Sequence, residues 1–244
     1  PACRLRFLSP PYSGGAFAPR FGLAAKAEPL AAALARLSGR PVKMHFSREE
    51  DFIASDTRHG GQVKVRLVAD SEGHFKALDL NIVLATGAYC SFGVELPAVA
   101  GAMALAIYGI PKKRYIGHSV YTNQTPAGAF RGFGNPQSNL ALESTVDLLA
   151  ERLGMDPYEL RLKNIARAGE PWFLPYPCSS TELADCMKQG AERIGWERRG
   201  TFDNSGPVKR GLGLAVGTPV SPAWPRALYT SHPADGSATV LCCI

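Results

Sequence analysis

The sequence predicts a mixed α+β fold with partly antiparallel sheets. Residues 62–69 alternate apolar and polar side chains, and a second extended run at 75–86 follows a turn sequence at 70–73, which is typical of an antiparallel hairpin. Later in the chain, apolar side chains recur at helical spacing, as at Leu142, Val146, Leu149 and Leu153. The order of these strands and helices indicates the mixed class.

The first part of the chain is predicted to contain one clear helix. Residues 1–22 are rich in proline, glycine and aromatic residues and are expected to form strand and loop. A helix is expected over 28–38, because Gly39 suits a C-cap and a proline follows. Residues 41–46 are predicted to form a strand, and Ser47 is predicted to begin a capped turn that opens a short helix.

The second part of the chain is predicted to alternate between strands and helices. Pro136 suits the opening turn of a long helix that Gly154 ends, and Asp156 begins the next helix with the spacing of a capping box. The helices are expected over 135–153, from 156 to about 168, and from 179 or 180 to 195. The strands are expected over 116–122, 211–216 and 238–243.

Composition limits the classes of function. The 244 residues suit one large domain or two small ones. The net charge of +6 is scattered apart from basic runs at 112–114 and 198–199, which argues against nucleic-acid binding and is compatible with an anionic cofactor or an acidic partner. The sequence contains neither a membrane-spanning apolar run nor a signal peptide. Because the first residue is not methionine, we expect the natural chain to begin earlier.

The six cysteines form no C-x-x-C pair. This spacing argues against zinc or iron–sulfur ligation by the chain. It favours a reduced, cytoplasmic protein.

The segment 128–137, Gly-Ala-Phe-Arg-Gly-Phe-Gly-Asn-Pro-Gln, is the strongest candidate for a binding site. Its glycines permit a tight turn close to a ligand, and Arg131 offers a planar fork of hydrogen-bond donors. A helix that begins near Pro136 turns its free N–H groups toward an anion. On the residues alone, a glycine-rich turn with a surface arginine is the alternative.

The other polar candidates are interpreted as structural. The acidic run 49–51 is assigned to the first turn of a helix, with a metal site as the alternative. Glu95 is interpreted as a loop carboxylate rather than a buried acid. His59 is expected to make a structural hydrogen bond, and Glu143 is expected to pack or to form a salt bridge.

Several segments, taken in order, resemble the molybdenum-binding subunit of the xanthine dehydrogenase/aldehyde oxidase family, the molybdenum hydroxylases. Ala129-Phe130-Arg131-Gly132-Phe133-Gly134 resembles the most specific motif of the family, and residues 14–20 resemble its G-G-G-F-G-G-K loop. The resemblance covers roughly residues 10–215. Further similar segments are 28–43, 47–52, Arg58-His59, 87–89, 108–111 and 153–157, followed by Arg161, Lys163-Asn164 and Gly169.

The resemblance implies a molybdenum–molybdopterin cofactor whose dithiolene holds the metal, so that no side chain is expected to ligate molybdenum. Val99 stands where purine-acting members of the family have arginine, which favours a less polar ring or an aldehyde as substrate. The first loop departs from the family pattern at Ala16, Ala18-Pro19 and Arg20. By position in the motifs, the implied cofactor contacts are Arg131, Gly132, Ala129, Phe130, Phe17 and Gly15, and the implied substrate contacts are Phe133 and Val99.

The family hydroxylates an aldehyde or an N-heteroaromatic substrate with oxygen taken from water. The resemblance therefore implies 2Fe-2S clusters and FAD on partner subunits or domains, and a dimer of heterotrimers as the assembly. The catalytic glutamate of the family is expected beyond Ile244. No catalytic residue is therefore assigned within the chain, and the isolated chain is expected to be inactive.

Two domains are expected. Residues 1–205 are assigned to a first molybdopterin-binding domain that is partial at its N-terminus, and 206–244 to the truncated start of a second. Three alternatives remain: a non-catalytic remnant of the same fold, a subunit-interaction module, or a member of the hydroxybenzoyl-CoA reductase type. The loop sequence fits the carbon monoxide dehydrogenase type less well.

Overall fold

The computed structural model of the protein describes residues 27–170, Cys178, residues 181–218 and the backbone of 239–243. The predictions for residues 1–22, including Gly15 and Phe17, lie outside this part of the chain. The mixed α+β class is confirmed. The helices are α1 (Ala27–Ser38), α2 (Arg48–Ala54), α3 (Glu95–Ala106), α4 (Asn135–Leu153), α5 (Pro157–Asn164) and α6 (Leu183–Ile194). The strands are β1 (Gly61–Ala69), β2 (Phe75–Gly87), β3 (Lys112–Tyr121), β4 (Gly213–Gly217) and β5 (Thr239–Cys243).

The larger sheet has the order β1-β2-β3. β1 and β2 form the antiparallel hairpin that the alternating pattern predicts, with Val65 opposite Leu80. β3 runs parallel to β2 and begins at Lys112, four residues before the predicted strand. The alternate leucines and isoleucine of β2 are buried, because this central strand turns one face toward the helices. β4 and β5, which were both expected as strands, form a separate antiparallel pair.

Local signals place the ends of three helices. The Ser47 hydroxyl accepts from Glu50 N and the Glu50 carboxylate accepts from Ser47 N, which is the capping box that begins α2. The acidic run 49–51 is therefore a first helical turn, as interpreted. Gly154 ends α4 in the left-handed conformation, and the Asp156 carboxylate caps α5.

One predicted strand and two predicted helix boundaries are wrong. Residues 41–46 alternate in burial, but their backbone pairs with no strand in the described part of the chain, so they do not form a strand. α5 ends at Asn164 rather than near 168, because Ile165 turns extended and forms an antiparallel bridge with Tyr108. α6 begins at Leu183, three residues after the later of its two predicted starts.

α3 was not predicted as a helix, and it lies at the centre of the molecule. Nine of its 12 residues are buried between the larger sheet and α4, so its sequence is apolar on nearly all sides and lacks an amphipathic period. Glu95 is its first residue and is exposed, which corrects its interpretation as a loop carboxylate. The buried side of α4 completes the core with Leu142 and Val146.

Candidate functional site

The loop over residues 127–134 leads directly into α4. Phe130 N donates to Gly128 O (2.9 Å), and Phe133 N donates to Phe130 O (2.8 Å), so the backbone folds tightly on itself. The 19-residue helix α4 begins immediately afterwards, with Gly134 at its N-cap and no side chain capping it. The positive end of the helix dipole therefore lies at this loop, where Asn135 N donates to Gly132 O (2.9 Å).

Three consecutive residues of the 127–134 loop have positive φ angles: Gly132 at +91°, Phe133 at +44° and Gly134 at +89°. Glycine adopts this region freely, whereas a phenylalanine there is strained by about 1–3 kcal/mol. A Cβ added to Gly134 would lie 2.8 Å from Ala100 Cβ and 3.0 Å from Leu96 O. The loop thus turns against the backbone of α3, and glycine permits this close approach.

A short segment after α2 lies beside the 127–134 loop. Thr57 and Ala127 form a parallel bridge, in which Thr57 N donates to Pro126 O and Gly128 N donates to Thr57 O, each over 3.0 Å. A Cβ on Gly128 would lie 2.2 Å from the Asp56 carboxylate, so a larger residue does not fit without movement. The start of the loop is therefore held by backbone pairing to a distant part of the chain.

The structure brings the two predicted substrate residues together. Phe133 packs against a buried cluster formed by Val99, Ala102 and Met103 of α3. The ring of Phe92 meets the Phe133 ring edge-on, with centroids 5.6 Å apart. This packing offsets the backbone strain at Phe133. It also produces an apolar, partly aromatic surface on this side of α3.

The predicted cofactor residues lie along the same loop. Ala129 and Phe130 are half-buried, and Arg131 and Gly132 are exposed. The Arg131 carbonyl accepts a hydrogen bond from Arg58 (2.5 Å), and Arg131 as a residue is exposed. Sequence reasoning did not predict the contact with Arg58, because no local pattern indicates an interaction across 73 residues.

Several buried polar atoms around the loop have no hydrogen-bond partner within the described residues. They are Nη1 of Arg58, both ring nitrogens of His59, and the side-chain carbonyl oxygens of Asn135 and Gln137. An unpaired buried polar group is costly and in native proteins is met by water, an ion or a ligand. Donors and acceptors are thus both available where the loop meets α4.

His59 is 2% exposed, and this burial changes the pKa of its ring. Desolvation lowers its pKa, and the nearby Asp56 carboxylate offsets part of that effect. Gln137 Nε2 donates to the His59 carbonyl (3.0 Å), so this hydrogen bond is made by the backbone of His59 and not by the ring. Burial also lowers the pKa of Arg58.

An open groove of about 650 Å³ lies on a different side of α3. It runs between α3 and β3, where Tyr115 crosses the helix and donates to Pro97 O (2.5 Å). Gly101 allows this crossing, because a Cβ there would lie 2.4 Å from the Tyr115 ring. None of the predicted site residues in the described part of the chain lines this groove.

The described residues contain no cluster of three or more histidine, cysteine, aspartate or glutamate side chains able to hold a metal ion. None of their helices combines the length and the apolar character needed to cross a bilayer.

Comparison with known proteins shows the family to which the chain belongs. Residues 1–165 match the molybdopterin cofactor-binding domain family. The chain is 36% identical over 202 residues to the xanthine dehydrogenase molybdenum-binding subunit of Escherichia coli O157:H7, covering 81% of this chain and 27% of that subunit. The chain spans under a third of the length of such curated relatives.

Solved structures show the same likeness. The aldehyde oxidoreductase from Desulfovibrio gigas superposes with a TM-score of 0.75 at 32% identity, over 84% of this chain and 22% of that one. Quinoline 2-oxidoreductase from Pseudomonas putida 86 gives a TM-score of 0.73 at 26% identity, over 84% of this chain and 27% of that one. With the family match over most of its residues, the chain belongs to the molybdopterin cofactor-binding domain family and is similar to the molybdenum-binding subunits of xanthine dehydrogenases and aldehyde oxidoreductases.

Proposed function

We propose that this chain forms part of the molybdenum-cofactor pocket of an oxidoreductase that hydroxylates an aldehyde or an N-heteroaromatic substrate with oxygen from water. The observation that supports it most is the 127–134 loop, which combines a strained glycine-rich backbone, an exposed Arg131 and a helix N-terminus. The unpaired donors and acceptors around the loop fit a cofactor with many polar atoms, as molybdopterin is.

Each residue of the loop has a proposed task. The Arg131 guanidinium is exposed and donates to anionic oxygens of the cofactor, while the backbone of Ala129, Phe130 and Gly132 approaches it closely. Gly15 and Phe17 are proposed to contribute from the first glycine-rich segment. When bound, the molybdenum–molybdopterin group supplies the two-electron redox chemistry, and it carries its own ligands for the metal.

Phe133 and Val99 are proposed to contact the substrate. Their shared apolar cluster gives an aromatic face that suits a planar ring and offers no charged group to a purine carbonyl. A less polar heterocycle or an aldehyde fits this surface better than xanthine. The names of two similar proteins, quinoline 2-oxidoreductase and aldehyde oxidoreductase, belong to the same substrate classes.

The rest of the enzyme is proposed to come from outside the chain. Residues 1–205 are proposed as a first cofactor-binding domain and 206–244 as the beginning of a second. The acid–base glutamate, the 2Fe-2S clusters and FAD are proposed to lie on further segments or partner subunits, in a dimer of heterotrimers. On this proposal the isolated chain turns over no substrate.

The test is the molybdenum and pterin content of the full-length protein that contains this chain. The wild-type protein is expected to contain close to one molybdenum and one pterin per polypeptide. Arg131→Ala is expected to lower that content or the turnover about tenfold or more, because a charge-assisted donor is lost. The matched control is Arg152→Ala, which removes an exposed arginine at the opposite end of α4. Unchanged content and turnover in Arg131→Ala would contradict the proposed placement of the cofactor.

A further inference from the structure

Arg58 touches the centre of the 127–134 loop twice. Its Nη2 donates to the Arg131 carbonyl over 2.5 Å, and its guanidinium carbon lies 4.4 Å from the centroid of the Phe130 ring. The two contacts involve adjacent loop residues and different parts of the guanidinium. One of its N–H groups donates to a carbonyl, and its π face packs on an aromatic ring. A lysine cannot reproduce both with the same geometry.

The neighbours of Arg58 contact the start of the loop and the helix that follows it. Thr57 pairs through its backbone with Pro126 and Gly128 at the start of the loop. His59 accepts through its carbonyl from the Gln137 side chain in the first turn of α4. Three consecutive residues, 57–59, therefore contact the beginning of the loop, its middle and the first turn of α4.

The loop depends on such external contacts. Its three positive φ angles are not the conformation that Phe133 prefers, and Gly134 provides no side-chain cap for α4. The backbone hydrogen bonds within the loop are short in range and do not by themselves orient it against α3. The Arg58 guanidinium supplies such a contact, because it binds the carbonyl of the exposed residue Arg131.

We propose that Arg58 is a positioning residue, which fixes the 127–134 loop and thereby aims Arg131 at its ligand. The second half of this statement rests on the proposed function. In this role Arg58 acts through the backbone of the loop.

Hydrogen exchange of the full-length protein in its cofactor-free form tests the first half directly. In Arg58→Gln the amides of Phe130 and Phe133 are expected to exchange about tenfold faster or more, because their hydrogen bonds lie within the loop. Amides of the β1–β2 hairpin are expected to keep their wild-type rates. Arg58→Lys, which retains the charge and one donor, is expected to give an intermediate rate. Arg48→Gln is the matched control, since this exposed arginine of α2 forms its ion pair among the described residues with Asp51, three positions away.

The outcomes separate this inference from the proposed function. Loop exchange in Arg58→Gln and Arg58→Lys that equals the Arg48→Gln rate would overturn the role of Arg58, whatever the metal content. Faster loop exchange together with a severalfold loss of molybdenum or of turnover supports both halves. Faster exchange with full molybdenum occupancy and unchanged turnover would overturn the aiming of Arg131. A wild-type protein without molybdenum would overturn the proposed function and that aiming, while the exchange rates still decide whether Arg58 fixes the loop. If Arg58→Gln does not accumulate, Arg58→Lys carries the same comparison.

Discussion

At the scale of single residues, His59 combines near-complete burial with a titratable ring. Neither ring nitrogen has a hydrogen-bond partner within the described residues, and the neighbouring Asp56 carboxylate already accepts from the Ser91 hydroxyl (2.9 Å). Desolvation keeps the pKa of His59 below its ordinary value in spite of that carboxylate. The ring is therefore neutral in the folded chain at neutral pH.

This neutral ring predicts a pH dependence of stability. The unfolded chain protonates His59 as the pH falls through about 6.5, whereas the folded chain does so only at lower pH. The free energy of unfolding is therefore expected to fall between pH 7.5 and pH 5.5 and to level off below the folded pKa. Thermal unfolding of the full-length protein at several pH values checks this. His59→Asn is expected to flatten the dependence, and His118→Asn, on the exposed strand β3, is the control; equal slopes in all three proteins would contradict the prediction.

At the scale of elements, the contact between α3 and the loop before α4 shapes the candidate site. Gly134 permits this contact because its hydrogen atom takes the place where a Cβ would meet Ala100 and Leu96. Ser138 adds a hydrogen bond from its hydroxyl to Ala100 O (2.9 Å). The start of α4 therefore packs against the middle of α3.

Substitution of Gly134 tests how closely the two helices must meet. Gly134→Ala adds a clash with α3 to the left-handed φ penalty, and we expect it to destabilise the domain by about 2–4 kcal/mol. Gly154→Ala is the matched control, because Gly154 also has a positive φ but no atom lies within 4 Å of an added Cβ. That control is expected to cost about 1–2 kcal/mol. Native-state hydrogen exchange of α4 amides measures the loss of stability in each variant. Equal losses would show that the loop moves to accommodate the added Cβ and would contradict the prediction.

The elements also show what the sequence could and could not predict. The β1–β2 hairpin, the starts of α2 and α5 and both ends of α4 depend on local alternation, turns and caps, so they were largely predicted. α3 was missed because burial on nearly all sides removes the amphipathic period. Pro97 and Gly101 also argued against a helix. The proline is tolerated because it lies in the first turn, and the glycine is needed because the Tyr115 ring packs against it.

The candidate site divides in the same way. Its loop was predicted, because glycine spacing and a helix start are visible along the chain. The contact of Arg58 with the loop was not, since it joins residues 73 positions apart and follows no period. The strand at 41–46 failed for the complementary reason: alternation is local, but a strand also needs a neighbour to pair with, and the described residues provide none.

At the scale of the whole molecule, one buried polar network joins the two sheets. The Glu143 carboxylate on α4 accepts from Arg161 Nε (2.8 Å), from the Tyr108 hydroxyl (2.6 Å) and from Val216 N on β4 (2.8 Å). Arg161 also donates to Asp147 (2.7 Å). The salt bridge expected at Glu143 is confirmed, and it ties β4 to the helices that pack on the larger sheet.

This network predicts a large and specific loss of stability when its arginine is removed. Arg161 is 0% exposed and Glu143 4%, so Arg161→Met leaves a buried carboxylate without its counter-charge, at an expected cost of about 3–5 kcal/mol. Arg114→Gln is the control, because its ion pair with Asp79 is largely exposed and is worth about 0–1 kcal/mol. Native-state hydrogen exchange of α4, α5 and β4 amides in the full-length protein measures both changes. Loss of protection is expected in all three elements for Arg161→Met, since Glu143 binds β4 directly. Loss confined to α5 would mean that the network does not couple the two sheets.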